Sequence, residues 1–180
     1  MNIAVTIPAS DFATRLQAAG TALAIGDADL DEIARRHDLA LRDVLALLPS
    51  SQACKADGRY FAEVWDELAS WGRVVFATSD AHGAFEMTTQ LQPGRAGRGL
   101  FNLFALAPGP DAPSRDLCAA VWLVDRPRSG RGSRAVIFLN QAGDALFKIL
   151  VRRDVARQPD GNQLAKFEAM WAKWRRCSST

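Results

Sequence analysis

Residues 61–76 read FAEVWDELASWGRVVF, and the change of rhythm inside this stretch decides the fold. Up to Trp71 the large apolar side chains return at three- and four-residue steps: Phe61, Val64, Trp65, Leu68 and Trp71, with Tyr60 just ahead. Such spacing makes a wide aromatic stripe on one side of a helix, and that stripe must lie against something large and apolar. The stripe stops at Gly72. From Arg73 onward the apolar period becomes two, as in strands whose successive side chains point to opposite faces.

Working outward, the period-two stretches are residues 74–78, 84–90, 99–106, 118–125, 135–139 and 145–151. Their connectors SDAHG, QPGRAGRG, APGPDAPSRD, RPRSGRGS and NQAG are rich in turn-forming residues, as expected of successive antiparallel strands. Residues 164–174 return to helical spacing, with Leu164, Phe167, Met170, Trp171 and Trp174 on one side. Upstream, LDEIARRHDLALRDVLALLP places Leu30, Ile33, Ala34, Leu41, Val44, Leu45 and Leu48 at helical steps and is ended by Pro49. Two short helices with a tight turn near His37 and Asp38 fit that pattern. The order predicts an α+β fold: N-terminal helices, a large antiparallel β-sheet and a C-terminal helix, with one face of the sheet covered.

A chain of 180 residues, 48% of them apolar and with a formal net charge of +2, has the make-up of one soluble globular domain. At that length folding removes roughly 70% of the extended chain's surface from water, so a core forms without staples. The charge balance points to no partner. Cys54, Cys118 and Cys177 are scattered and odd in number, which suggests neither a disulfide framework nor a zinc site and fits a reducing cytosol. The opening MNIAVTIPAS lacks the pattern of an export signal, and no apolar run approaches the ~18 residues of a membrane span.

The sequence gives little footing to most chemistries. Ser79, Asp80 and His82 are neighbours but lack a GxSxG elbow and a group to orient the base. Zincin, EF-hand and nucleotide-binding glycine motifs are missing. IARRHDLALRDV has the look of a helix-turn-helix, yet its second helix offers only Arg42 and Asp43 as polar reach, too little for bases or phosphates. His37 is then a turn residue, and nucleic acid is not an expected partner.

Taken together, FAEVWDELASWGRVVF, RGLFNLFAL, CAAVWLVDRP and AVIFLNQAGDALFKILVRRD resemble the ChuX/HutX family of intracellular haem-utilisation carriers. The likeness runs from DADLDEIA to KFEAMW and includes the LALLPSSQ step. It implies one domain over residues 21–176, helical over 21–72 and sheet over 73–176, with residues 1–20 an extension and 177–180 a tail. It also implies a cytoplasmic protein without catalytic machinery, similar to half of the larger two-repeat haem-trafficking proteins. Such proteins pair into homodimers, bind haem near the sheet and pass it to a degrading or storage partner.

Haem recognition needs a donor to iron, an apolar slot and cations for the propionates. Set against the resemblance, Ser79 and about Ala112 stand where the family carries histidines, and Leu100 where a tyrosine often precedes FNL. None of the three is a useful donor. His82, in the turn Asp80-Ala81-His82-Gly83, is either a relocated iron ligand that swings into the pocket or a solvated turn residue. Met87 is either a sixth ligand or core filling. Cys118 reads as a small buried hydrophobe. Among the loop arginines, Arg98 lies near the family's pocket edge and suits a propionate, whereas the arm from Arg128 to Arg134 is a mobile tip or a docking arm. The expectation is a haem-binding, haem-trafficking homodimer with its usual axial ligands replaced. Its rivals are a ligand-free module that docks a haem-handling partner and a binder of metal-free porphyrin.

Overall fold

Gly72 has φ +78, a left-handed conformation that suits glycine and breaks the chain out of the helix before it. The computed structural model describes residues 9–26, 28–80, 83–93, 118–128, 131–153, 156 and 158–177. In chain order the elements are α1 (Ala9–Ile25), α2 (Leu30–Arg36), α3 (Leu41–Ala46), β1 (Ala53–Asp57), a 3-10 turn (Gly58–Tyr60) and α4 (Phe61–Ala69). They continue with β2 (Arg73–Asp80), β3 (Gly83–Gln90), β4 (Ala120–Arg128), β5 (Arg131–Leu139), β6 (Ala145–Leu150) and α5 (Gly161–Cys177). The six strands form one antiparallel sheet in the order β1-β4-β5-β6-β2-β3.

Alternation along the strands separates two cores. Phe76, Phe138, Phe147 and Ile149 point to one face, where Phe138 and Phe147 stack at 4.5 Å and Phe61 of α4 meets Phe138 edge-on at 5.3 Å. The α4 stripe lies there with Phe167, Met170 and Trp174 of α5. On the other face Val124, Ala135, Ile137 and Leu139 pack with Ala19, Ile33, Val44 and Leu45 of α1, α2 and α3. The expectation of one covered face is thus corrected: the helices divide between both faces, because α2 and α3 carry an apolar side of their own. Each large side chain so buried contributes about 1.5–3 kcal/mol.

Two elements escape the sequence reading. β1 is a five-residue strand that the sequence reading did not assign; it buries Cys54 and Ala56, exposes Lys55 and Asp57, and is fixed by its ladder to β4 from Ala53↔Val124 to Asp57↔Ala120. α1 runs through residue 20, and its Ala19 is fully buried. Conversely, β4 and β5 continue to the pair Arg128↔Arg131, so much of RPRSGRGS is ladder rather than connector. The strand expected at 99–106 lies outside the described residues. Beside β1, Gly58 is a place where a side chain does not fit: a Cβ there would stand 2.0 Å from the Cys118 carbonyl oxygen.

One buried amide joins the sheet to α5. The Asp160 carboxylate accepts from the backbone N–H of Asn162 (3.1 Å) and Gln163 (3.2 Å), which caps the helix and holds that carboxyl below its ordinary range. Gln163, only 2% exposed, then donates from Nε2 to the carbonyls of Trp71 (3.2 Å) and Arg73 (2.7 Å), while its Oε1 accepts from the Arg152 N–H (2.8 Å). Replacing Gln163 by Leu strands those three backbone groups, so urea denaturation should show a loss of about 3 kcal/mol. A loss below about 0.5 kcal/mol would contradict the role given to this amide.

Candidate functional site

The face that carries Ala135 and Ile137 extends across β6, β2 and β3, where the small side chains Ala77, Ser79 and Ala84 stand among Lys148, Leu150 and Glu86. The register sets Ala135 beside Leu150, then Leu150 beside Val75 and Val75 beside Thr88. One step along, Ile137, Lys148, Ala77 and Glu86 form the next row, followed by the pair Ser79↔Ala84. Between this floor and the start of α2 lies a cavity of about 540 Å³, within the usual range for small-ligand pockets. Ala77, Ala84, Ala135, Ser79 and Ser133 keep its floor flat.

The opposite wall is the first turn of α2 and the residues before it. Asp29 caps that helix, its side chain accepting from the Asp31 N–H at 2.9 Å. The α1–α2 junction is tied to the sheet by Arg126, which donates to the carbonyls of Ala28 (2.8 Å) and Leu23 (3.1 Å) and is itself buried. Lys148 crosses the cavity from β6, its ammonium donating to the Asp31 carboxylate. The Ser79 hydroxyl sits 3.5 Å from the other Asp31 oxygen. Burial pushes the Asp31 carboxyl above its ordinary range, with the nearby Lys148 charge opposing the shift. The cavity therefore combines an apolar floor with a partly buried ion pair at its centre.

Of the residues singled out from the sequence, Ser79 lines this cavity. Met87 is not brought to it: alternation sets Met87 beside Phe76, packed on the core of the opposite face. Of its two readings, core filling fits and the sixth-ligand role does not, since a side chain on the far side of the sheet does not reach the floor. His82, Arg98, Leu100 and Ala112 lie outside the described residues, although Gly83, the neighbour of His82, lines the cavity. His37 closes α2, its N–H directed to the carbonyls of Arg35 and Ile33. Cys118 is buried, and burial pushes its thiol up to about 11, as an unreactive core residue should be. Among the described residues no group of three or more His, Cys, Asp or Glu could hold a metal ion.

The sequence reading missed Lys148, Asp31 and Glu86, and counted Arg126 only as one of the loop arginines. Lys148 left one legible trace, a charge between apolar neighbours in ALFKIL. Asp31 looks like an ordinary acid in a helix's first turn, and nothing in the sequence pairs it with a lysine 117 positions away.

The family described as haem utilisation ChuX/HutX matches residues 54–170, which covers most of the sheet together with α4 and most of α5. The chain belongs to the ChuX/HutX family. It is 29% identical over 133 residues to the intracellular haem transport protein HutX of Vibrio cholerae, spanning 71% of this chain and 67% of that protein. Among solved structures, a protein of Agrobacterium tumefaciens is 32% identical with a TM-score of 0.81, and the likeness covers 97% of this chain and 98% of that one. The haem-binding protein ChuX is 27% identical with a TM-score of 0.76, over 89% of this chain and 99% of its own. Among the described residues no helix is long and apolar enough to cross a membrane.

The Asp31–Lys148 pair couples the two walls, and its side chains are 26% and 14% exposed. Asp31→Asn alone leaves a lysine cation over the floor without its counter-charge and should cost about 2 kcal/mol in urea denaturation. Adding Lys148→Met should recover at least half of that loss. A double variant that loses the full sum of the two single effects would contradict the coupling.

Proposed function

We propose that this protein binds haem, or a closely related tetrapyrrole, as cargo inside the cell and passes it to a partner without altering it. The observation that carries this reading is the flat floor of Ala77, Ala84, Ala135 and Ser79 facing α2 across a cavity of about 540 Å³, in a family whose named members transport or bind haem. A planar apolar body laid on small side chains excludes water from its whole face, which favours flat ligands over bulky ones. Ile137 and Leu150 extend the apolar surface, and Arg126 and Arg35 line the cavity together with the carboxylates of Asp29, Glu32 and Glu86 and the Asp31–Lys148 pair.

His82 is the donor we assign to the iron. It stands next to cavity-lining Gly83 in sequence and three residues beyond Ser79, the position at which the resemblance expected a histidine. Binding of a metal-free porphyrin is a second reading, favoured by one specific fact: the described lining residues include no His, Tyr, Cys or Met. Assembly as a homodimer belongs to the first reading. It is supported by β3, which ends the described sheet, is exposed along most of its length and carries Phe85 at 56% exposure.

Haemin titration followed at the Soret band tests the proposal. Wild type should give a saturable shift, and His82→Ala should abolish it or move the band. An unchanged shift in His82→Ala would place the donor elsewhere. Quenching of protoporphyrin fluorescence without a haemin shift would favour the metal-free reading, and no response to either ligand would refute both. Loss of the Soret band on adding reductant would replace carriage by catalysis.

A further inference from the structure

Lys148 rises from β6, which lies between β5 and β2 in the sheet. The small residues of the floor fall on both sides of that strand: Ala135 on β5, and Ala77, Ser79 and Ala84 on β2 and β3. A planar body that covers both groups lies over β6. There Lys148 already reaches from the floor to Asp31 on α2, and both residues line the cavity. Carbon surfaces in contact stand about 3.5–4.0 Å apart, so a flat ring system between floor and roof needs about 7–8 Å of open height. A side chain bonded across that gap blocks it as a pillar would.

Opening the pillar leaves the layers joined. Arg126 ties the α1–α2 junction to β4 through the carbonyls of Ala28 and Leu23. Ile33 of α2 is fully buried in the core shared with α3 and the sheet. Those contacts hold α2 in place when Lys148 lets go. Asp31 is then not stranded without a counter-charge, because Arg35 stands four residues on along α2 and lines the same cavity. An acid placed before a base at that spacing is the favourable order on a helix. The Ser79 hydroxyl, 3.5 Å from Asp31, is a further polar neighbour for the released carboxylate.

We propose that the Asp31–Lys148 pair is a latch that the cargo must open. It closes the empty cavity, lowers affinity below what the floor alone would give, and favours release by re-forming as the cargo leaves. A contact made in the empty state and absent from the loaded one opposes binding by its own free energy. This rests on the reading of the floor as a tetrapyrrole site and adds to it a means of setting how tightly the cargo is held.

The test is haemin affinity by Soret titration on the full-length protein, with circular dichroism and melting as controls of folding. Wild type is compared with Asp31→Asn/Lys148→Met, which removes both charges at similar side-chain length, and with Asp31→Lys/Lys148→Asp, which reverses the pair. The charge-free variant should bind about tenfold more tightly than wild type, within the roughly 5- to 150-fold range usual for coupled events, and the reversed pair should return to within about threefold of wild type. If the reversed pair does not fold, Lys148→Arg, which keeps the pair, takes its place with the same expectation. Equal or weaker binding by the folded charge-free variant, while wild type binds, overturns the latch and leaves the floor reading standing. A pair-keeping variant that binds as tightly as the charge-free one also overturns it, because affinity would then not follow the pair. If neither wild type nor the charge-free variant binds haemin, the floor reading has failed and takes the latch with it.

Discussion

The cavity depends first on the two-residue alternation of β2, β5 and β6. The same strands that send Phe76, Phe138, Phe147 and Ile149 into the core beneath α4 and α5 send Ala77, Ala135, Ile137, Lys148 and Leu150 to the opposite side. A one-residue slip in any of them would turn core side chains such as Phe76, Phe138 or Phe147 to the opposite side and fill the cavity. The aromatic stack therefore does more than stabilise the protein. By fixing the register it keeps the other face low.

How far that face is covered is set by polar groups. Arg126 holds the α1–α2 junction by two backbone carbonyls, and Lys148 holds the first turn of α2 through Asp31. Both links start from the sheet and end on the helical layer, so the gap between layers has a defined height rather than collapsing. Burial of Asp31 works against the pair, since it raises that carboxyl. A purely apolar contact would hold the layers together at lower electrostatic cost. A polar link keeps charge inside the cavity.

Much of the fold was legible because the signals were long. The stripe from Phe61 to Trp71, the break at Gly72 and the alternation after Arg73 each appear in the structure as read, as do the helical hairpin around His37 and the amphipathic α5. Ser79 was singled out from the resemblance, and it does line the cavity. Short or long-range features were not legible. The alternation of β1 spans only five residues and went unassigned, and Asp31 and Lys148 acquire their meaning only when helix and strand meet. For Met87 the sequence left a ligand role and core filling open, and the ladder that sets it beside Phe76 favours core filling. Gln163, which joins α5 to the backbones of Arg73 and Arg152, looks unremarkable in the sequence.

Ala77, flanked by Lys148 and Glu86 at the middle of the floor, offers the most direct test of the account. Ala77→Phe should raise the floor without touching the aromatic core on the other face. Haemin affinity, measured by Soret titration on protein that retains its circular dichroism spectrum and melts near wild type, should fall by at least about a hundredfold, the cost of losing a well-packed apolar contact. Wild-type affinity in a folded Ala77→Phe protein would show that the ligand does not lie on this floor.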